Sequence, residues 1–178
     1  MEEKTRSTTV QGMYYGAITG IAIIVFSLII FVADLYLNRS ITWIGYLILL
    51  GGMIWGTLDY RKNYMNGFMS YGKAFSTSFM IGLFTGILAA VYTYVFAQFI
   101  HPGFTQEILD MSREQMLASS PNLSEEQIDQ ALSYTAKFTT PLMMLIFGFI
   151  TYVVISAIIS LITSIFLKKE DKSLTTSV

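Results

Sequence analysis

Gly67, four residues, then Gly72 and Lys73 reproduce the G-x-x-x-x-G-K frame of a phosphate-binding loop, with Ala74 where that loop carries a magnesium-binding hydroxyl. Such a loop leaves a strand and opens a helix whose free N–H groups cradle phosphate. Here the preceding segment is apolar and helical, Phe68, Met69 and Tyr71 are too bulky for phosphate to approach the backbone, and the following helix is apolar too. The expectation is a turn at Asn66-Gly67, Ser70 capping the next helix, and Lys73 reaching back toward lipid headgroups. No nucleotide is expected.

Other chemistry is sparse. His101 is the single histidine, so a metal site built on paired imidazoles is excluded. It could serve as a general base, but no serine stands in a nucleophile context, and a helix-ending residue before Pro102 is the simpler reading. Asp34 closes the first apolar stretch beside Tyr36 and is expected at the interface, paired with Arg39; the alternative is a proton relay. Asp59 is expected to pair with Arg61 and Lys62. The chain lacks cysteine, which removes disulfides, thiolate nucleophiles and Cys-ligated metals. No catalytic residue, cofactor or metal follows, and the chain is not expected to be an enzyme.

The elements that hold these residues are apolar. Of 178 residues, 53% are hydrophobic and 13% charged, with mean hydropathy +0.56. A soluble domain carries about 25% charge. Four segments, about 12–37, 41–58, 74–100 and 141–167, reach the roughly 20 residues that a membrane helix needs. The first is too long for a signal-peptide core of about 7–15 residues. The expected fold is all-α: one membrane domain over 1–178, with four transmembrane helices and a small extracytoplasmic helical hairpin within 101–140. In that loop, Ser124 and Gln127 form a capping box, Leu123 and Ile128 a staple, and Ile128, Ala131, Leu132, Thr135 and Phe138 one apolar face. A weaker helix over about 105–118 precedes the Ser119-to-Asn122 break.

Basic residues orient the chain. With the N-terminus inside, Lys4, Arg6, Arg61, Lys62, Lys73, Lys168, Lys169 and Lys172 share one side, and Arg39, Arg113 and Lys137 the other, eight against three. Both termini are therefore expected in the cytoplasm. Small residues recur every four positions: Gly12, Gly16 and Gly20; Gly52 and Gly56; Ala74, Ser78, Gly82, Gly86 and Ala90; Ser156, Ser160 and Ser164. Such stripes let helix backbones approach closely in lipid. The alternative is a narrow pore, but no ring of charge accompanies them.

Tyr60-Arg61-Lys62-Asn63, followed by Gly67 and Ser70-Tyr71-Gly72-Lys73-Ala74-Phe75, resembles the signature of a bacterial family, domain of unknown function 4199. Phe99 to Phe104, Pro141, Ser160-Leu161-Ile162 and Phe166 to Lys169 extend the resemblance over nearly the whole chain. It implies a small four-helix protein of the bacterial inner membrane and carries no activity. The expected function is structural, regulatory or partner-binding. Its expected partners are the bilayer, anionic headgroups at the cytoplasmic turn (Arg61, Lys62, Gly67, Ser70, Gly72 and Lys73), and a protein partner or a second copy, with no nucleic acid. The alternative is a small transporter or channel subunit acting as an oligomer; a membrane enzyme is the third reading.

Overall fold

The computed structural model describes residues 6–120 and 122–169. Expectations resting on Lys4, Pro121, Lys172, the chain termini and the Arg39 side chain lie outside the described residues. Six α-helices follow one another: α1 (Thr8–Val32), α2 (Arg39–Tyr64), α3 (Tyr71–Val95), α4 (Phe104–Ser119), α5 (Glu125–Phe138) and α6 (Pro141–Leu167), with a π-helical turn at Phe96–Ile100 after α3. The helices α1, α2, α3 and α6, of 25, 26, 25 and 27 residues, are long and apolar enough to cross a bilayer. At 1.5 Å per residue each exceeds about 37 Å, against a hydrocarbon core of about 30 Å.

Local chemistry sets most helix ends. Ser7 caps α1 by accepting from Val10 N, and Asn38 caps α2 by accepting from Ser40 N. The Ser70 hydroxyl accepts from Lys73 N at 3.4 Å and opens α3. Thr140 accepts from Met143 N in front of Pro141, whose missing N–H and fixed φ suit a first helical position. Ser124 and Gln127 form the reciprocal capping box on α5. The first apolar helix stops at Val32, not Leu37, because Asp34 turns into the left-handed region at φ 56°. Asp34 therefore lies in the turn beyond α1, not within its outer end.

The chain divides into two compact units, Met1–Ala89 with Thr151–Val178, and Ala90–Ile150. In the first, the small residues stand where helices meet. A methyl added at Gly12 would lie 2.9 Å from the Met80 carbonyl carbon, at Gly16 2.9 Å from the Ile81 oxygen, and at Gly20 3.0 Å from Leu88 Cβ. Matching 12 with 80, 16 with 81 and 84, and 20 with 88 makes α1 and α3 parallel. Gly52 faces Thr19 and Gly56 faces Tyr15, so α1 and α2 are antiparallel. Gly82 lies against Ser156 and Gly86 against Tyr152, which makes α3 and α6 antiparallel. Tyr15, Ile23, Leu49, Met53 and Ile81 form the core between these contacts.

Buried hydroxyls in this unit follow two patterns. Thr57, Thr77 and Thr163 donate back to the carbonyl four residues earlier, at 2.7–2.8 Å. Thr85 does the same to Ile81 O and also reaches Gly16 O at 3.2 Å, joining α3 to α1. Ser78, Ser156, Ser160 and Ser164 are fully buried with no hydrogen-bond partner among the described residues. Ser156 packs directly over Gly82, its side chain taking the place where a Cβ on that residue would stand.

In the second unit, His101 N closes the π-helical turn on Phe96 O at 2.7 Å, and the His101 ring lies beside Phe96 and Phe104. Helices α4 and α5 touch through Thr105 Oγ1 donating to Thr139 O at 3.2 Å and through Arg113 and Asp129 at 3.5 Å. Ile128 is buried, whereas Phe138, on the expected apolar face, is exposed and meets the Phe147 ring edge-on.

The glycine contacts carry a stability prediction. Gly16→Ala places a methyl against the Ile81 carbonyl and Phe84 Cβ, neither of which can swing aside, and is expected to cost about 1–3 kcal/mol in detergent unfolding. Gly51 has open space around it. Gly51→Ala is expected to gain about 0.5–1 kcal/mol through helix propensity. Equal stability of the two variants would refute the α1–α3 contact.

Candidate functional site

Parallel α1 and α3, with α2 and α6 antiparallel to them, bring four chain segments to one end of the first unit: the start of α1, the end of α2 with the turn after it, the start of α3, and the end of α6. The described cations there are Arg6, Arg61, Lys62, Lys73, Lys168 and Lys169; the described carboxylate is Asp59.

The turn is built by local backbone chemistry. Asn66 and Gly67 both take positive φ, 50° and 83°, and reverse the chain after α2. The 83° value suits glycine, which has no Cβ to clash. Gly67 N then donates to Arg61 O and Phe68 N to Met65 O, both at 2.9 Å. Met69 N donates to Lys169 O at 2.7 Å, and Lys169 N returns to Met69 O at 2.8 Å, a two-bond bridge between the turn and the segment after α6. Lys73 N and Ala74 N are taken by Ser70. The N–H groups of Gly67, Phe68, Met69, Lys73 and Ala74, which a phosphate cradle would leave free, are thus engaged within the fold. Met69 and Ala74 are buried with Tyr60 and Leu167 in a second small core. Gly72 faces open space and makes no close approach.

The cations are held by rings and carbonyls. The Arg6 guanidinium lies 4.8 Å from the Tyr14 ring centre and 5.6 Å from that of Tyr64, and Tyr60 OH donates to Arg6 O at 2.7 Å. Lys73 Nζ stands 5.9 Å from the Tyr60 ring, and Lys169 Nζ stands 5.4 Å from the Phe68 ring. Arg61 Nη1 donates to Leu167 O at 2.8 Å, satisfying one of the carbonyls that the end of α6 leaves without an intrahelical partner. Positive charge at the ends of α2 and α6 also complements their dipoles. Lys62 is exposed.

Asp59 departs from the expected ion pair with Arg61 and Lys62. It accepts from Gln11 Nε2 at 3.0 Å and Asn63 Nδ2 at 2.6 Å, while Arg61 turns to α6. The physical reason is geometry: Arg61 lies two residues from Asp59, off its helical face, and Asn63 lies four residues on, directly over it. Gln11, fully buried, also donates to Gly56 O at 2.8 Å and so ties α1 to α2. A lone amide in an apolar run was its signal. The Met69–Lys169 bridge has no sequence signal, since 100 residues separate its partners. Outside this end, His101 Nε2 lies 2.9 Å from Glu107 Oε1, and both are partly exposed.

The family model described as "Protein of unknown function (DUF4199)" matches residues 14–169, and the chain belongs to that family. No curated protein and no solved structure matches it.

The motif is testable directly. Ala74→Ser completes the phosphate-loop frame, yet the N–H groups of Gly67, Phe68, Met69, Lys73 and Ala74 are already engaged within the fold. Calorimetry with magnesium and ATP is expected to show no saturable binding for wild type or Ala74→Ser, and unchanged folding for Lys73→Arg, because either charge can sit over Tyr60. Micromolar ATP affinity abolished by Lys73→Arg would reverse this assignment, since a phosphate loop depends on lysine geometry.

Proposed function

We propose that the chain is a four-span protein of the bacterial inner membrane, not an enzyme, acting as a structural, regulatory or partner-binding component. The carrying observation is the charge at one end of the first unit: six described cations against one carboxylate, with Tyr14, Tyr60, Tyr64 and Phe68 among them. Basic groups favour the cytoplasmic side, and aromatic rings favour the interface. This end therefore faces the cytoplasm, where each cation near an anionic leaflet contributes about 1 kcal/mol. The α4–α5 segment, with Glu107, Asp110, Glu114, Glu125, Glu126 and Asp129 against Arg113 and Lys137, forms the extracytoplasmic hairpin. A protein partner or a second copy engages this hairpin or the basic turn. A transport role would need an oligomer, because neighbouring side chains fill the small-residue stripes of the first unit.

Single cysteines in this cysteine-free chain test the orientation. Glu126→Cys is expected to react with an impermeant maleimide added outside cells, and Lys62→Cys only after the membrane is opened; the reverse pattern refutes the reading. Crosslinking in native membranes followed by mass spectrometry is expected to recover a discrete partner or dimer. Substrate flux in vesicles containing the purified chain alone would instead favour transport.

A further inference from the structure

At the opposite end of the first unit, α1, α2 and α6 leave a crevice of about 100 Å³, lined by Phe26, Ser27, Ile30, Gly45, Tyr46 and Tyr152 among others. A second hollow of about 270 Å³ shares Thr42 and Tyr46 with it and adds Trp43 and Ile155. The walls are apolar, but hydroxyls point among them. Thr42 is accounted for, donating to Asn38 O at 3.1 Å. The Tyr46 and Tyr152 hydroxyls make no hydrogen bond among the described residues, and their rings lie 6.4 Å apart.

Two half-buried phenols without protein partners among the described residues present their donors to whatever occupies the crevice. Tyr46 lies eight residues past the α2 cap Asn38, so its Cα stands about 12 Å along the axis from that end, in a stretch where a polar group gains from an acceptor within reach. Side chains on a helix lean toward its N-terminus, which aims Tyr46 up toward the level of Trp43 and the interface. The occupant must therefore bring hydrogen-bond acceptors at the top of an apolar shaft. At about 100 Å³ the crevice is smaller than the roughly 150 Å³ cavity that admits benzene, so it takes a narrow chain and not a ring.

We propose that this crevice is a binding site for one diacyl phospholipid of the outer leaflet, an acyl chain of which enters beside Phe26 and Ile30 and whose ester carbonyl oxygens accept from Tyr46 and Tyr152. The site rests on the bilayer placement above. Failure of that placement would show separately, as release of the chain from membranes by alkaline carbonate without detergent.

Native mass spectrometry of the detergent-purified chain, titrated with diacyl phosphatidylglycerol and with its dialkyl ether analogue, tests the proposal. One diacyl lipid is expected to bind with slow exchange, and the ether analogue, which lacks the carbonyls, more weakly. Loss of one hydrogen bond corresponds to about a fivefold fall in affinity, and Tyr46→Phe with Tyr152→Phe is expected to fall by at least that much. Gly45 lines the crevice and a methyl there meets nothing within 4 Å, so Gly45→Leu is expected to enter the crevice and abolish the adduct at unchanged thermal stability. Equal binding of ester and ether lipids, or an undiminished adduct in the folded double tyrosine variant, would overturn the proposal. So would loss of a dimer instead of a lipid in Gly45→Leu. If Gly45→Leu does not fold, the tyrosine variant decides alone.

Discussion

The contact of α1 with α3 through Gly12, Gly16 and Gly20 is the constraint on which the first unit depends. Between apolar helices in lipid no hydrophobic drive operates, so association comes from close packing and interhelical hydrogen bonds. At Gly16 the α1 backbone comes close enough for Thr85 to donate to its carbonyl, with the Ile81 oxygen 2.9 Å from where a Cβ would stand. That approach fixes a parallel pair. The intervening α2 must then return antiparallel, and Thr19 against Gly52 with Tyr15 against Gly56 locks its register. Gly82 and Gly86 receive α6 on another face of α3 in the same way.

The polarity of the two ends follows from that arrangement. Parallel α1 and α3 put Arg6 and Lys73 at one level, and the returning α2 and α6 deliver Arg61, Lys62, Lys168 and Lys169 to it. Like charges so gathered would repel, and the structure spreads them over separate partners. Arg6 goes to Tyr14 and Tyr64, Arg61 to the Leu167 carbonyl, Lys73 to Tyr60, and Lys169 to Phe68. The Met69–Lys169 bridge ties the segment after α6 to the turn after α2, and the Arg61–Leu167 bond ties the end of α6 to α2 itself.

Periodicity and apolar length made the helices legible, because membrane-length runs and four-residue spacings are local properties of the chain. The α6 bounds, Pro141 and Leu167, agree with the sequence reading to the residue, since Pro opens that helix and lysines close it. The α1 end does not, because the left-handed turn at Asp34 carries no Gly or Pro to announce it. Within the basic end, the caps and the Asn66-Gly67 turn were legible for the same local reason. Its tertiary bonds were not: Gln11 to Asp59, Arg61 to Leu167 and Met69 to Lys169 span 48, 106 and 100 residues. The Tyr46–Tyr152 crevice has no signature in either helix alone and exists only where the two meet.

The near-match to a phosphate loop follows from what both structures share. A chain that reverses and enters a helix needs a residue tolerant of positive φ, a hydroxyl cap, and, where a membrane or a phosphate lies next to it, a cation in the first turn. Gly67, Ser70 and Lys73 meet those needs here. The two uses differ in where the backbone donors point. A phosphate cradle holds them open toward the ligand, whereas here Arg61 O, Met65 O, Lys169 O and Ser70 take up those of Gly67, Phe68, Met69, Lys73 and Ala74. Met69 and Ala74 are buried as well, against Tyr60 and Leu167. The frame of glycines and lysine thus belongs to a turn between two helices of membrane-spanning length, and the bridge to Lys169 commits a backbone donor of that turn to the segment after α6.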